Sequence, residues 1–114
     1  MAPKTNPLNL NPLQLRTLAL LQELARHPET GTPVPESGGV MLSQLPHPHG
    51  NHFHVGSRVV ASKDATGLFN QAVWVALERK GLAHGQFPYA IVVTKDGLAY
   101  DTSGAGHILH GGDH

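Results

Sequence analysis

The residues best suited to chemistry are crowded into one stretch, HPHGNHFH, which puts His47, His49, His52 and His54 within eight positions. Imidazole ligates zinc, nickel and copper. The chain has no cysteine, which removes Cys-ligated zinc, iron–sulfur clusters, disulfides and thiol nucleophiles together. Metal chemistry would therefore fall to these four imidazoles, with Asp101 or Asp113 brought from elsewhere to orient the rings. The same stretch has a structural reading. Pro46, Pro48 and Gly50 force a turn, and Phe53 and Val55 alternate with His52 and His54, so a strand would anchor its apolar residues inward and send both histidines outward. We read the cluster as this turn and strand face, with no cofactor. The alternative is a metal-binding protein, or a metal-dependent enzyme, using His47, His49, His52 and His54. The remaining sequence has no P-loop, no G-x-G-x-x-G, no G-x-S-x-G and no H-E-x-x-H, so no other enzyme class is indicated.

Those histidines must be positioned by a small frame. A length of 114 residues suits one domain. We place its core at residues 11–103, with loosely ordered ends at 1–10 and 104–114. Asn11 as N-cap, Pro12 at the first helical position and Gln14 closing a capping box start an amphipathic helix. Leu10 can staple onto Leu15. Leucines 15, 18, 21 and 24 form its inner stripe, Gln14, Thr17, Gln22, Glu23 and Arg26 its solvent side, and Pro28 stops it. PETGTPVPESGG reads as a loop, VMLSQL is ambiguous, and the alternation from His52 to Val59 predicts a single strand. Asp64 and Gly81 bracket a second helix over Ala65 to Lys80. Beyond it, YAIVVT and LAYDTS flank KDG, which predicts a hairpin turning at Asp96-Gly97.

LERKGLA followed by AIVVTKDGLAYDT resembles the end of a winged helix-turn-helix domain, where a recognition helix closes on a similar step and a two-stranded wing follows. The resemblance covers roughly residues 11 to 103. It implies an α/β (α+β) winged-helix-like domain with two main helices, short strands and a C-terminal β-hairpin wing. The same resemblance implies a DNA-binding module, a transcriptional regulator and not an enzyme. The helix from Ala65 would then approach the major groove with Thr66, Asn70 and Gln71, residues suited to base edges. Arg58 and Lys63 would approach phosphates, and Lys95 would sit at the wing tip. Separately, HPHGNH is similar to the H-x-H-x-D-H motif of metallo-β-lactamase-fold hydrolases, with Asn51 in place of the aspartate, and HPHGNHFHVG to a cupin H-x-H segment. Both families need more strands than this chain offers.

Charge limits what such a module can hold. Eight basic residues balance eight acidic ones, and residues 58–96 carry five basic against three acidic. Few phosphates would be neutralised, so duplex DNA would be bound weakly or by a dimer. A homodimer would use the apolar run from Ala72 to Leu77, because Trp74 and Val75 cannot both face one core. A winged-helix protein-interaction module using that run is a further alternative. No stretch reaches the roughly 20 apolar residues of a membrane span, from which a soluble, cytoplasmic protein is expected.

Overall fold

The computed structural model describes residues 6–43, 45–47, 50–55, 58–108 and 110–111. His49, Pro48, the 56–57 step and the end residues 1–5 and 112–114, all included in the expectations above, lie outside the described residues. Helix α1 (Pro12–Ala25) starts as the sequence prescribes. The Asn11 side chain accepts from Gln14 N at 2.8 Å while Gln14 Oε1 accepts from Asn11 N at 3.0 Å, so two orphan donors are satisfied reciprocally.

What differs is how much of α1 is covered. Eight consecutive residues, Thr17 to Leu24, are buried. The helix packs against both sheets, a second helix (α2, Gln71–Arg79) and the C-terminal segment, so its second half has no solvent side. Thr17, Gln22 and Glu23, expected to face water, are inside and have partners. Thr17 Oγ1 donates to Leu13 O, and Glu23 accepts from Arg26 at 2.9 Å and meets His27 Nε2 at 3.0 Å. Burying Leu18, Leu20, Leu21 and Leu24, each at most 1% exposed, contributes about 1.5–3 kcal/mol apiece.

Two antiparallel sheets flank this helix. Strand β1 (Gly31–Val34) lies within the segment read as a loop and pairs in a hairpin with β2 (Gly39–Leu42), which takes Val40 to Leu42 from the ambiguous VMLSQL. Pro33 is compatible with a strand because β1 is a sheet edge, where a missing N–H costs no ladder bond. The expected single strand at 52–59 is a second hairpin, β3 (His52–Val55) and β4 (Arg58–Ala61), with Val55 opposite Arg58. Gly56-Ser57 between two β-rich runs was the available signal. Strands β5 (Ala83–Gln86) and β6 (Ala90–Val93) complete the first sheet, whose order is β1-β2-β6-β5. Strand β7 (His110–Gly111) adds to β4 in the second sheet, ordered β3-β4-β7.

The second helix is shorter than its sequence pattern. Helix α2 (Gln71–Arg79) begins at Asn70, whose side chain accepts from Ala72 N at 3.0 Å. Asn70 itself is extended, and Ser62–Asp64 and Thr66–Phe69 are separate 3₁₀ turns, so Asp64 is no α-helix cap. Close approach explains the break. A Cβ on Gly67 would run into Thr17 Oγ1, which ties this turn to α1 before α2 can start. The C-terminal end agrees with the sequence: Gly81 has φ +75°, Gly81 N donates to Glu78 O and Leu82 N to Leu77 O, a Schellman closure.

The hairpin expected at Asp96-Gly97 is absent. Thr94 Oγ1 accepts from Gly97 N at 3.0 Å and caps a short helix, α3 (Lys95–Ala99). Gly97 serves contact here, since a Cβ would strike Leu82 O. The true hairpin turns at Phe87-Pro88-Tyr89, where Tyr89 N donates to Gln86 O at 2.7 Å across a cis Phe87–Pro88 bond.

Residues near the ends are tied down where they are described. Tyr100 OH donates to Asn6 Oδ1 at 2.6 Å and accepts from Leu8 N, while Lys80 Nζ donates to Leu8 O at 2.8 Å. Beyond α3, Ala105 and Ile108 are buried in the 3₁₀ stretch Ser103–Ile108. The chain is a small α+β domain of helices and two antiparallel sheets. Among the described residues no helix is long and apolar enough to cross a membrane.

Candidate nucleic-acid interface

Five of the six residues expected to meet nucleic acid follow one another in the chain between the start of β4 and the start of α2. Arg58 is exposed at the start of β4, Lys63 is exposed in the first 3₁₀ turn, and Thr66 is exposed in the second. Asn70 and Gln71 then open α2. Their chemistry differs from expectation. Asn70 Oδ1 is already occupied by Ala72 N, so that side chain is a helix cap with only its amide N–H groups left to offer. Gln71, at the first helical position, is exposed and keeps both functions of its amide available.

Lys95 lies elsewhere. It is the first residue of α3, exposed, and its methylenes lie beside Gly38 in the β1–β2 turn, so it is not at a wing tip. Position 95 is separated from β6 by Thr94 alone, and the loop between β5 and β6 carries Tyr89 at its end instead.

Next to the α2 start the surface opens into a groove of about 540 Å³, lined by Ser43, Leu45, His47, Phe69, Pro88 and Tyr89. The His47 ring stacks on Phe69 with centroids 5.7 Å apart and planes 12° from parallel. Tyr89 is 76% exposed and Phe69 39%, so the groove presents aromatic faces to solvent with no charged side chain in its lining. Behind it the single tryptophan is used internally: Trp74 Nε1 donates to Leu68 O at 2.9 Å, and its indole meets Phe87 edge-on at 4.8 Å. Sequence reasoning missed Phe69 and Tyr89. The signal was Phe87-Pro88-Tyr89 ahead of the β-rich AIVV, where Tyr89 was expected to begin the strand.

The remaining histidines of the opening cluster adopt the expected facing. Phe53 and Val55 are buried, His54 is exposed and His52 half-buried, and the two imidazoles meet edge-on with centroids 5.0 Å apart. His47 is drawn away to Phe69. Among the described residues no three His, Asp or Glu side chains converge as a metal would require. Asp101, the carboxylate considered for that purpose, instead accepts from Ser103 N at 2.9 Å, and the Ser103 hydroxyl, followed by that N–H, holds its carboxyl below the usual range.

The apolar run of α2 divides as helix geometry requires. Val73, Trp74 and Leu77 are buried, while Ala72 and Val75 are exposed. Comparison of the chain with family models, with curated proteins and with solved structures finds no match in any of the three.

Proposed function

We propose that the chain is a small, non-enzymatic nucleic-acid-binding module of the cytoplasm, a transcriptional regulator of winged-helix type, whose ligand is duplex DNA. The observation that carries this reading is the run of exposed side chains Arg58, Lys63, Thr66 and Gln71, two cations and two hydrogen-bonding groups, along the chain that leads into α2. The order α2, hairpin β5–β6, α3 is the order in which a recognition helix, wing and following helix would occur, with the wing tip at Tyr89. Gln71 is the side chain for a base edge, and Arg58 and Lys63 are those for phosphates.

With so few cations the affinity is low and the salt dependence shallow. Each phosphate contact contributes a slope of about −0.9 in log K against log salt. Titrations across a salt series test this directly. Arg58→Ala and Lys63→Ala should each flatten the slope by about one contact, and Lys95→Ala should leave it unchanged. Absence of binding at low salt would end the reading. A second copy meeting the first at Ala72 and Val75 would double the phosphate contacts, and sedimentation showing only monomer at high concentration would remove that part.

A second reading has its own observation, the aromatic groove beside Tyr89. An interaction module would use this groove to hold a protein segment. Tyr89→Ala would then abolish partner capture while leaving the salt slope for DNA intact.

A further inference from the structure

Arg16 stands apart from every other cation of the described chain. It lies in the second turn of α1, its side chain is half-buried, and its Nε is shielded from solvent without any hydrogen-bond partner. Neither ion pair among the described residues involves it, since both are made by Glu23. With Nε shielded from solvent, a ligand that reaches this side chain meets its terminal Nη groups, which carry parallel N–H donors.

The space beside it is suited to a ligand. A cavity of about 230 Å³ is lined by Arg16 together with Asn6, Leu10, Pro12, Leu15, Gly104 and Ala105. Its walls are mostly apolar. Among the described residues Arg16 is the sole charged one of the lining, and Asn6 is largely spent on the chain itself, donating to Leu10 O and accepting from Leu10 N and Tyr100 OH. The volume falls below the roughly 300–1,000 Å³ typical of pockets for drug-sized ligands.

We propose that this cavity between the start of α1 and the 3₁₀ stretch at Gly104 is a binding site for a small organic acid, whose carboxylate pairs with the Arg16 guanidinium and whose apolar body lies against Leu10, Pro12, Leu15 and Ala105. A guanidinium matches a carboxylate through parallel N–H donors. One cation suits a single negative charge, and the apolar walls suit a short hydrocarbon or ring better than a hydrated phosphate. The site is separate from the run Arg58 to Gln71 and does not rest on the nucleic-acid reading. Closing the cavity would fasten the N-terminal segment and the 103–108 stretch to α1, so the bound acid would stabilise the fold.

The test uses hexanoate and benzoate as probes, with hexanamide and inorganic phosphate as controls, and reads thermal stability together with amide chemical shifts. The expected result is a rise in Tm that saturates with either acid, shifts at Leu10, Leu15 and Ala105, and no effect of hexanamide. Arg16→Met, which keeps the length and apolar stem, should weaken binding about tenfold or more, as expected for loss of a charged hydrogen bond. Gly104→Leu gives an independent variant, because a Cβ there meets only Leu15 Cδ2 at 3.5 Å and the larger side chain would fill the space without touching the charge. It should also abolish the response while leaving the protein folded by circular dichroism. Equal binding of hexanamide, equal binding of phosphate, or acid binding unchanged in both variants would each overturn the proposal, as would no response to either acid up to tens of millimolar.

Discussion

Helices α1 and α2 each lead into an antiparallel hairpin, and the second strands of the two hairpins, β2 and β6, pair at the centre of one sheet. The two units are nevertheless used differently. In the second half of α1 even the polar residues are consumed internally: Gln22 Nε2 donates to the Gly97 and Tyr100 carbonyls at 2.8 and 2.9 Å, and its Oε1 accepts from Thr102 at 2.6 Å. In α2 the polar residues Gln71, Glu78 and Arg79 face solvent, together with Ala72 and Val75. A helix covered all round along its second half serves as scaffold, and one with an open face along its length can recognise something. The comparison explains why the proposed interface begins at α2, whereas at α1 the one opening is the small cavity beside Arg16.

The largest effect that would break this comparison is a core deletion. Leu21→Ala, at a side chain with 0% exposure, should cost about 2–5 kcal/mol, and Val75→Ala, at the corresponding open face of α2, no more than about 0.5 kcal/mol. Urea midpoints of the two variants measure both. Similar losses would mean that the open face of α2 is covered, by a second copy or otherwise.

Next in size is the tie made by Gln22. Gln22→Met keeps the volume and removes all three hydrogen bonds, leaving two carbonyls and a hydroxyl without that partner, at a cost of about 1–3 kcal/mol. Hydrogen exchange should localise the damage, with amides between Gly97 and Ala105 exchanging faster than those of β2. Gln71→Met, at the exposed start of α2, should leave exchange unchanged. If the two variants behaved alike, Gln22 would not be the link that joins α1 to the C-terminal segment.

The same contrast explains what could be read from the residue order. Local signals were reliable where the physics is local: the Asn11 capping box, the Gly81 closure and the outward histidines of β3 all follow from residues a few positions apart. Errors arose where a distant surface decided. Thr17, Gln22 and Glu23 carry polar groups at positions that helical periodicity assigns to solvent, and only the packing of both sheets, α2 and the C-terminal segment around α1 makes them interior. Gly97 and Gly67 illustrate the point for turns. Glycine at 97 suggested a hairpin, yet it is required by Leu82 O; glycine at 67 drew no comment, yet it presses on Thr17 and ends the expected extension of α2. The interface residues were legible one by one as polar side chains near a helix start, but the occupation of Asn70 by its own helix and the separation of Lys95 depend on boundaries that the sequence misplaced. Phe69, Tyr89 and Arg16 gave no signal of this kind, since an aromatic near a turn or an arginine in a helix is ordinarily unremarked.

A smaller effect concerns the histidine segment, which belongs to neither helix. His47→Ala gives up the stack on Phe69 and His54→Ala the edge contact with His52, and both positions are exposed. Each should change stability by no more than about 0.5 kcal/mol, the range usual for surface sites. A metal site behaves otherwise, because its loss is coupled to folding. Elemental analysis of protein purified without a His-affinity step would settle the alternative: stoichiometric metal that is lost in a His52→Ala, His54→Ala double variant would move the metal reading to first place and make the second sheet, not α2, the functional region.

The smallest effect lies at the far end of the scaffold tie, where Asp101 follows Tyr100 and precedes the Thr102 that bonds Gln22. The Ser103 hydroxyl and N–H both favour the charged carboxylate, so the folded-state pKa is below its ordinary 3.8. A carboxyl with a depressed folded pKa adds stability that is complete above the unfolded value and disappears as pH falls through the folded one. Its contribution is therefore constant at neutral pH and fades below about pH 4, and because the group is fully solvent-exposed it is screened and small. Asp101→Asn retains a side-chain oxygen for Ser103 N but no charge. Denaturation midpoints of wild type and variant should thus differ slightly at pH 7 and converge as the pH falls through the lowered folded value. A gap that persisted or widened in acid would show that the charge is not what the Ser103 contacts favour, and that the segment after α3 is held by Gln22 and the burial of Ala105 and Ile108 alone.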